Sequence, residues 1–395
     1  RVAGHSHAVV ISDIVGDSAG ATSTQNLTIT VTGTNDAAVV SGRLTNTLTE
    51  DSVVSTGGML RAGGQLTVVD PDAGEAVFVV QAGVTGVGHY GSFSIDASGH
   101  YSYIADNTQA AIQRLKAGET LTDRFTVATA DGTQQVVTIT INGAEDRPVL
   151  QAQSQAVTED GSLLRGQMVA TDVDAGDTKA FSTATQVAGF TLNADGSYSF
   201  DPSNAAYQHL VAGQTQDVVI PVTVTDSAGA TSTQTLTITV TGVNDGAVIS
   251  GVSSGTITED QSVQGGQLQA SGQLIVTDVD IGEDHFIAQN NVAGSSGLGH
   301  FSLDATGAWT YTADNTLTAI QQLKAGESLT DSLSVASADG ATHTITVTIQ
   351  GSNDAPVLAA QTQAVTEDGA QLQGRMVATD VDAGDTFVFS TANAV

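Results

Sequence analysis

The chain has 395 residues, a length that suits two to four domains, and carries 42 acids against 11 basic residues for a net charge of −31. That balance excludes nucleic acid and anionic membrane surfaces as partners, since both need basic patches. The absence of cysteine excludes disulfides and thiolate metal sites, and a patterned 40% of hydrophobic residues argues for a folded chain over an acidic disordered one.

No apolar run is long enough to span a membrane, so direct membrane insertion is not expected, and no signal-like start is seen at Arg1. The sequence reads as a piece of a longer chain. Residues 1–36 contain a turn "DSAG" (17–20) led by Asp17, then "TSTQNLTITVTG" (22–33), where Thr alternates with Leu, Ile and Val. Residues 37–144 bring a "TED" (49–51), "VVDPDAGEA" (68–76), the turn "DASGHYSY" (96–103), "NTQAAIQRLKAG" (107–118), a turn at Asp131 and "VVTITING" (136–143). Residues 145–243 follow the same grammar with different spacing: linker "EDRP" (145–148), "TED" (158–160), "ATDVDAGDT" (170–178), "NADGSYSF" (193–200), "SNAAYQHLVAG" (203–213), a turn at Asp226 and "STQTLTITVTG" (232–242). Residues 244–352 then repeat 37–144: "ADNT" (105–108) returns at 313–316 and "KAGE" (116–119) at 324–327. Residues 353–395 repeat the opening of 145–243, with "ATDVDAGDT" returning letter for letter at 378–386. Calling 37–144 and 244–352 type A and 145–243 type B, the order is end of B, A, B, A, start of B.

The Thr-rich segments alternate with period 2, one face buried and one wet, which predicts β-strands. Asp-Gly and Ser-Gly pairs supply the turns between them. About a hundred residues of short strands per repeat indicates an all-β, immunoglobulin-like sandwich, and tandem repeats make an elongated array. The segments at 107–118 and 203–213 are expected to form one or two helical turns whose Ile112, Leu115, Tyr207 and Leu210 plug the core.

The spacing of the acids places them in space. From Asp146 in the linker to Glu159 is 13 residues and from Asp160 to Asp172 is 12. Each suits one crossing of a small sandwich, about 40 Å of extended chain. The DxDxG(D/E) element and the turn Asp of a repeat therefore return to the linker that starts it, while its TED lies at the opposite end, beside the next linker. Four junctions follow. Asn35 and Asp36 meet Asp70, Asp72, Glu75 and Asp131. Glu145 and Asp146 meet Asp172, Asp174, Asp177 and Asp226, with Glu50 and Asp51 from the preceding repeat. Asn244 and Asp245 meet Asp278, Asp280, Glu283 and Asp339, with Glu159 and Asp160. Asn353 and Asp354 meet Asp380, Asp382 and Asp385, with Glu259 and Asp260. More than half of the 42 acids fall at these places, so the charge is concentrated by motif and not spread for solubility.

Groups of hard oxygen ligands without His or Cys suit Ca²⁺, whereas Mg²⁺ demands tighter octahedral geometry and keeps its water. The DxDxG element is not an EF-hand loop, which wants Gly at position 6 and Glu at position 12; here Gly176 is at position 5 and Thr183 at position 12. Taken alone it is a solvated loop. Four copies in register with the TED and the Asx-Asp linker read as interdomain calcium sites.

The stretches "QAVTEDGSLLRGQMVATDVDAGDT" (155–178) and "VTVTDSAGATSTQTLTITVTGVND" (222–245) resemble the VCBS repeats, cadherin-like extender domains of large bacterial RTX-type adhesins, and the resemblance covers essentially the whole chain. Cadherins use similar pieces and hold calcium between domains. The resemblance implies export by type I secretion, an extracellular place at the bacterial cell surface, and a stalk that projects a distal binding domain for adhesion or biofilm formation. The "EDRP" linker departs from the Asn-Asp of the other three.

Two rival readings carry less. His5 and His7 recur nowhere in the second period, His89 and His300 precede strand-like segments, and no G-x-S-x-G elbow occurs, so an enzyme is not expected. A glycan- or protein-binding adhesive module could use Trp309 beside Tyr311, but the first type A repeat has Tyr101 and Tyr103 there, and alternating aromatics of this kind are usually cross-strand pairs. The expected partners are the neighbouring repeats of the same chain. The expected state is monomeric, with head-to-tail contact through the incomplete end repeats as the alternative.

Overall fold

In a computed structural model, residues 4–52, 55 and 57–391 are described; the outermost residues of the two end segments, 1–3 and 392–395, lie outside them, as do 53, 54 and 56. The chain is nearly all-β, with tandem cadherin-like sandwiches around three hydrophobic cores.

The two type A repeats share one topology. A five-stranded sheet runs in the order Val39–Gly42, Met59–Val69, His100–Asp106, Gly91–Ile95, Gln81–Thr85, with antiparallel neighbours throughout. It faces a three-stranded sheet in which Gln134–Asn142 lies between Thr45–Thr49, which is parallel to it, and Thr120–Ala128. The second copy reproduces both orders, from Val248–Gly251 to Gln289–Ala293 and around Thr342–Gln350. The intervening type B repeat has a four-stranded sheet, Gln153–Thr158, Thr231–Thr241, Thr215–Thr225, Ala180–Ser182, opposite a three-stranded one, Leu164–Gln167, Ser197–Phe200, Phe190–Leu192.

The alternating Thr-rich strands build these cores. Val137, Ile139 and Ile141, then Leu236, Ile238 and Val240, then Ile345, Val347 and Ile349 are all fully buried, while the threonines between them face outward or the sheet edge. Burying each such side chain contributes roughly 1.5–3 kcal/mol. The segment before the last two long strands supplies the expected plugs, Ile112, Leu115, Tyr207 and Leu210. It is helical only as one turn, Thr318–Gln321, in the second type A repeat; at 107–118 and 203–213 it is a succession of turns. The short spans are held by tertiary contacts, because an isolated single turn nucleates poorly.

Each sandwich also lays an aromatic ring across a strand glycine. Tyr101 covers Gly64, Tyr198 covers Gly166 and Trp309 covers Gly272, where an added Cβ would stand 2.7, 2.2 and 2.7 Å from ring atoms. Trp309 is 1% exposed and its Nε1 donates to the Val252 carbonyl at 2.7 Å; Tyr101 Oη donates to the Arg43 carbonyl at 2.9 Å. Trp309 and Tyr311 are core residues and offer no stacking face to a sugar.

The end segments pair less. Ser6–Gly16 and Thr22–Thr32 form a hairpin whose residues are all exposed, with the same register as Thr215–Thr225 on Thr231–Thr241 in the intact type B repeat. Residues 353–391 keep only the short pairing of Val357–Leu358 with Ala378–Thr379.

Trp309→Ala should lower the stability of the second type A repeat by about 3–5 kcal/mol, the usual cost of emptying an aromatic site. Trp309→Tyr should cost clearly less, because a tyrosine fills the same place in the first repeat. Chemical denaturation followed by far-ultraviolet circular dichroism checks both; equal losses for the two variants would contradict the packing described.

Candidate metal centres at the joints

Every DxDxG element folds as the same turn. The first Asp accepts the N–H of the second, at 2.7 Å for Asp70–Asp72, 3.1 Å for Asp172–Asp174, 2.9 Å for Asp278–Asp280 and 3.0 Å for Asp380–Asp382. The glycines that follow, Gly74, Gly176, Gly282 and Gly384, have φ of 89, 76, 82 and 80°, the left-handed region that a side chain disfavours. The turn then aims its third acid back at the first two. The second Asp of each element is 2–3% exposed, and one of its oxygens accepts the linker N–H: Asp36, Asp146, Asp245 and Asp354 donate to Asp72, Asp174, Asp280 and Asp382 at 2.9–3.0 Å. The unusual "EDRP" linker makes this bond as the Asn-Asp linkers do.

The TED glutamates reach the same places from the preceding repeat. Glu50, Glu159 and Glu259 are at most 1% exposed. Each accepts, through Oε1, the N–H of the residue just before the linker: Ala144 at 3.0 Å, Val243 at 2.6 Å and Ser352 at 2.8 Å. The following aspartates, Asp51, Asp160, Asp260 and also Asp368, are left-handed at φ 57–61°, a conformation Asp tolerates at some cost and that turns the chain sharply at the joint.

These contacts consume one oxygen of each carboxylate. The second oxygen is buried without a hydrogen bond in Glu50, Glu159 and Glu259 and in Asp174, Asp280 and Asp382, and so is one carboxylate oxygen of the linker residues Asp146, Asp245 and Asp354, which engage through their N–H. The same holds for one oxygen of Asp70, Glu75, Glu145, Asp172, Asp177, Asp226, Asp278 and Glu283. Unpaired buried carboxylate oxygens cost several kcal/mol each when ionised. They converge: Asp70, Asp72 and Glu75; Glu145, Asp174 and Asp177; Asp172, Asp177 and Asp226; Glu159, Asp245 and Asp280; and Asp380, Asp382 and Asp385 each bring oxygens within 4.8 Å of one another. Such all-oxygen donor sets, which at Glu159, Asp245 and Asp280 come from the linker and both flanking repeats, fit a hard divalent cation.

Some of the expected residues play a different part. Asp131 accepts from Ala38 N–H at 2.9 Å, from the Thr129 and Thr133 hydroxyls and from Thr133 N–H, so both its oxygens are engaged; those hydroxyls, then Ala38, hold its carboxyl far below the usual range. Asp339 does the same for Ala247 at 2.9 Å. Both fasten the linker to the turn of their own repeat. In the type B repeat the matching linker position is Pro148, which has no N–H, and Asp226 spends only Oδ1 on its turn and keeps Oδ2 free toward Asp172 and Asp177. The linker asparagines Asn35, Asn244 and Asn353 turn their Nδ2 onto the next carbonyl at 3.2, 2.9 and 2.7 Å, whereas Glu145 brings a further carboxylate.

Three groups at the joints were not singled out from sequence. Asn107 and Asn315, the Asn of the repeated "ADNT", bond both the N–H and the carboxylate of Asp51 and Asp260, with Gln113 and Gln321 adding a second donor at 3.2 Å. Lys116 and Lys324, in the repeated "KAGE", cross the joint to Asp177 and Asp385. Recurrence of these motifs in type A alone was the available signal; their partners lie too far along the chain for spacing to reveal. Asp123 and Asp331 are buried acids of another kind, each holding a loop through N–H donors and a tyrosine hydroxyl.

Without cations the clusters resist ionisation. Burial, reinforced by Asp146, Asp51 and Asp174 and opposed by Ala144 N–H, pushes Glu50 up to about 7. Burial and Asp51 push Asp146 up to about 6. Glu75, Glu159, Glu259, Glu283, Asp245 and Asp354 rise for the same leading reason, burial. A carboxyl whose pKa is raised on folding stabilises the folded form while protonated and loses that contribution as pH rises through the raised value. The chelated protein should therefore melt higher near pH 5 than near pH 7.5, with the loss falling between about 4.5 and about 7. Scanning calorimetry in chelator checks this, and a melting temperature that rises over that interval would contradict it.

Comparison with known proteins places the chain. It is similar to protocadherin gamma B7 extracellular cadherin domains 1–4 at 14% identity, covering 87% of this chain and 83% of that one with a TM-score of 0.44. It is also similar to mouse cadherin-23 EC22–24 (13% identity, 78% and 95% covered, TM-score 0.42) and Drosophila N-cadherin EC1–4 (14% identity, 88% and 83% covered, TM-score 0.35). No curated protein matches the sequence significantly. The model of the bacterial cadherin-like domain matches residues 35–143, 145–242 and 244–351, and the chain belongs to that family.

Proposed function

We propose that this chain is an extender segment of a cell-surface adhesin, a stalk stiffened by Ca²⁺ held at the joints between its repeats. The observation that carries the reading is the set of buried carboxylate oxygens without partners, contributed at the three joints that follow a complete repeat by the linker, the DxDxG(D/E) of the following repeat and the TED of the preceding one. Two or three Ca²⁺ per joint would supply the missing partners and cancel most of the local charge. The chain's own residues do the rest: the TED glutamate and the second Asp of each DxD fix the two ends of the linker by hydrogen bonds, so ligating their second oxygens ties both repeats to one linker. Among the described residues no helix is long and apolar enough to cross a membrane.

The motif resemblance to VCBS repeats extends the proposal to an RTX-type adhesin exported by type I secretion, acting outside the bacterial cell in adhesion or biofilm formation. Sites of this kind bind in the extracellular range, about 10⁻⁴–10⁻³ M. A low-calcium interior would leave the joints unligated during export, and the outside would stiffen them. The alternative of an adhesive module in its own right has lost its candidate platform, since Trp309 is buried.

Titration calorimetry should show saturable calcium binding in that range. Small-angle scattering should show a shorter, more flexible particle in EDTA, with a lower melting temperature. Unchanged scattering and no binding heat up to millimolar calcium would remove the reading.

A further inference from the structure

The joints are not all alike. At all three joints that follow a complete repeat, a backbone hydrogen bond crosses from the DxD loop to the segment before the last two strands: Ala175 N–H to Arg114 O at 3.2 Å, Ile281 N–H to His209 O at 3.1 Å, and Ala383 N–H to Gln322 O at 3.2 Å. Two residues further along that segment the repeats part company. Type A has Lys116 and Lys324; type B has Val211. Lys116 Nζ reaches Asp177 Oδ1, an atom that also accepts Ser227 Oγ at 2.8 Å, and the Asp177 side chain is 1% exposed. Lys324 Nζ lies 3.1 Å from Asp385 Oδ1.

The third acid differs in step. It is Asp where the lysine comes across, at 177 and 385, and Glu where it does not, at 75 and 283. Glu283 Oε2 is buried without a partner. The neighbouring glutamine differs too: Gln113 and Gln321 bond the TED aspartate of their own repeat, while Gln208 Nε2 in type B is buried without a hydrogen bond.

We propose that Lys116 and Lys324 are fixed cations that tether each A-to-B joint, so that joints of two kinds alternate along the stalk: A-to-B joints that stay docked when calcium is withdrawn, and B-to-A joints that lack this ionic tether and need calcium to stay docked. This rests on the calcium reading for the B-to-A joints only. A compact ammonium placed across the joint neutralises one carboxylate permanently and links two repeats through side chains, which no group among the described residues does at Glu283. The Lys116–Asp177 pair is largely shielded at its Asp end, so salt screens it less than an exposed pair. Falling calcium would loosen alternate joints first and leave rigid A–B pairs as the moving units.

The test uses pairs of spin labels on the whole chain, which has no native cysteine. Thr126→Cys with Val219→Cys spans the A-to-B joint, and Val219→Cys with Ser334→Cys spans the B-to-A joint; all three positions are exposed. In EGTA, the A-to-B distance distribution should stay narrow while the B-to-A distribution broadens. Lys116→Met should broaden the A-to-B distribution to match, and Lys116→Arg should keep it narrow. An A-to-B distribution as broad as the B-to-A one in EGTA, or one unmoved by Lys116→Met, overturns the tether. Added calcium should narrow the B-to-A distribution. Failure of that step alone removes the calcium reading and with it the alternation, while the EGTA comparison still decides the lysine tether.

Discussion

The structure turns on one electrostatic constraint: at each joint the chain buries several carboxylates side by side and uses only one oxygen of most of them. Backbone N–H groups just before and within the linker take the first oxygen of the TED glutamate and of the second DxD aspartate, respectively. The second oxygens face one another. Such an arrangement is unfavourable by itself, because desolvation and like-charge repulsion act together. The sandwiches are independent of it, since their cores are apolar and separate. The constraint therefore governs how the repeats are disposed toward each other and leaves the folding of each repeat to ordinary hydrophobic burial.

Two local devices adjust that constraint. In type A the turn aspartates Asp131 and Asp339 are saturated by hydroxyls and by a linker N–H, so they act as fasteners. Proline at 148 deletes the corresponding donor and returns an oxygen of Asp226 to the cluster. The joint entering type B thereby holds more uncompensated oxygen, and it is this joint that receives a lysine from the preceding repeat. A carboxylate oxygen freed by one substitution is met by a cation supplied by another, and both differences follow repeat type.

Much of this was legible in the sequence. Alternation of Thr with Val, Ile and Leu marks the strands directly, since period 2 is a property of the backbone. The acids could be gathered into joints because two crossing lengths and a recurring motif suffice to decide which end of a sandwich each one occupies. Side-chain pairings were harder to read. Lys116 finds Asp177, and Asn107 finds Asp51, across separations that depend on how the repeats and loops are packed, which no local periodicity encodes. The role of Pro148 was hidden for a related reason: what matters is a hydrogen bond that its type A counterparts make and it cannot. The helical turns expected at 107–118 and 203–213 were overestimated because Ala, Gln and Leu favour helix, while short connections between long strands leave room for little more than turns.

The most direct measurement of the central claim is a crystal structure of the chain grown in calcium, with anomalous scattering to identify ions. The account predicts ions at the joints, ligated at about 2.3–2.6 Å by the oxygens now without partners, among them Glu159 Oε2, Asp245 Oδ2 and Asp280 Oδ1. Finding those oxygens hydrogen-bonded to water or to one another, with no ion between the repeats at millimolar calcium, would contradict it.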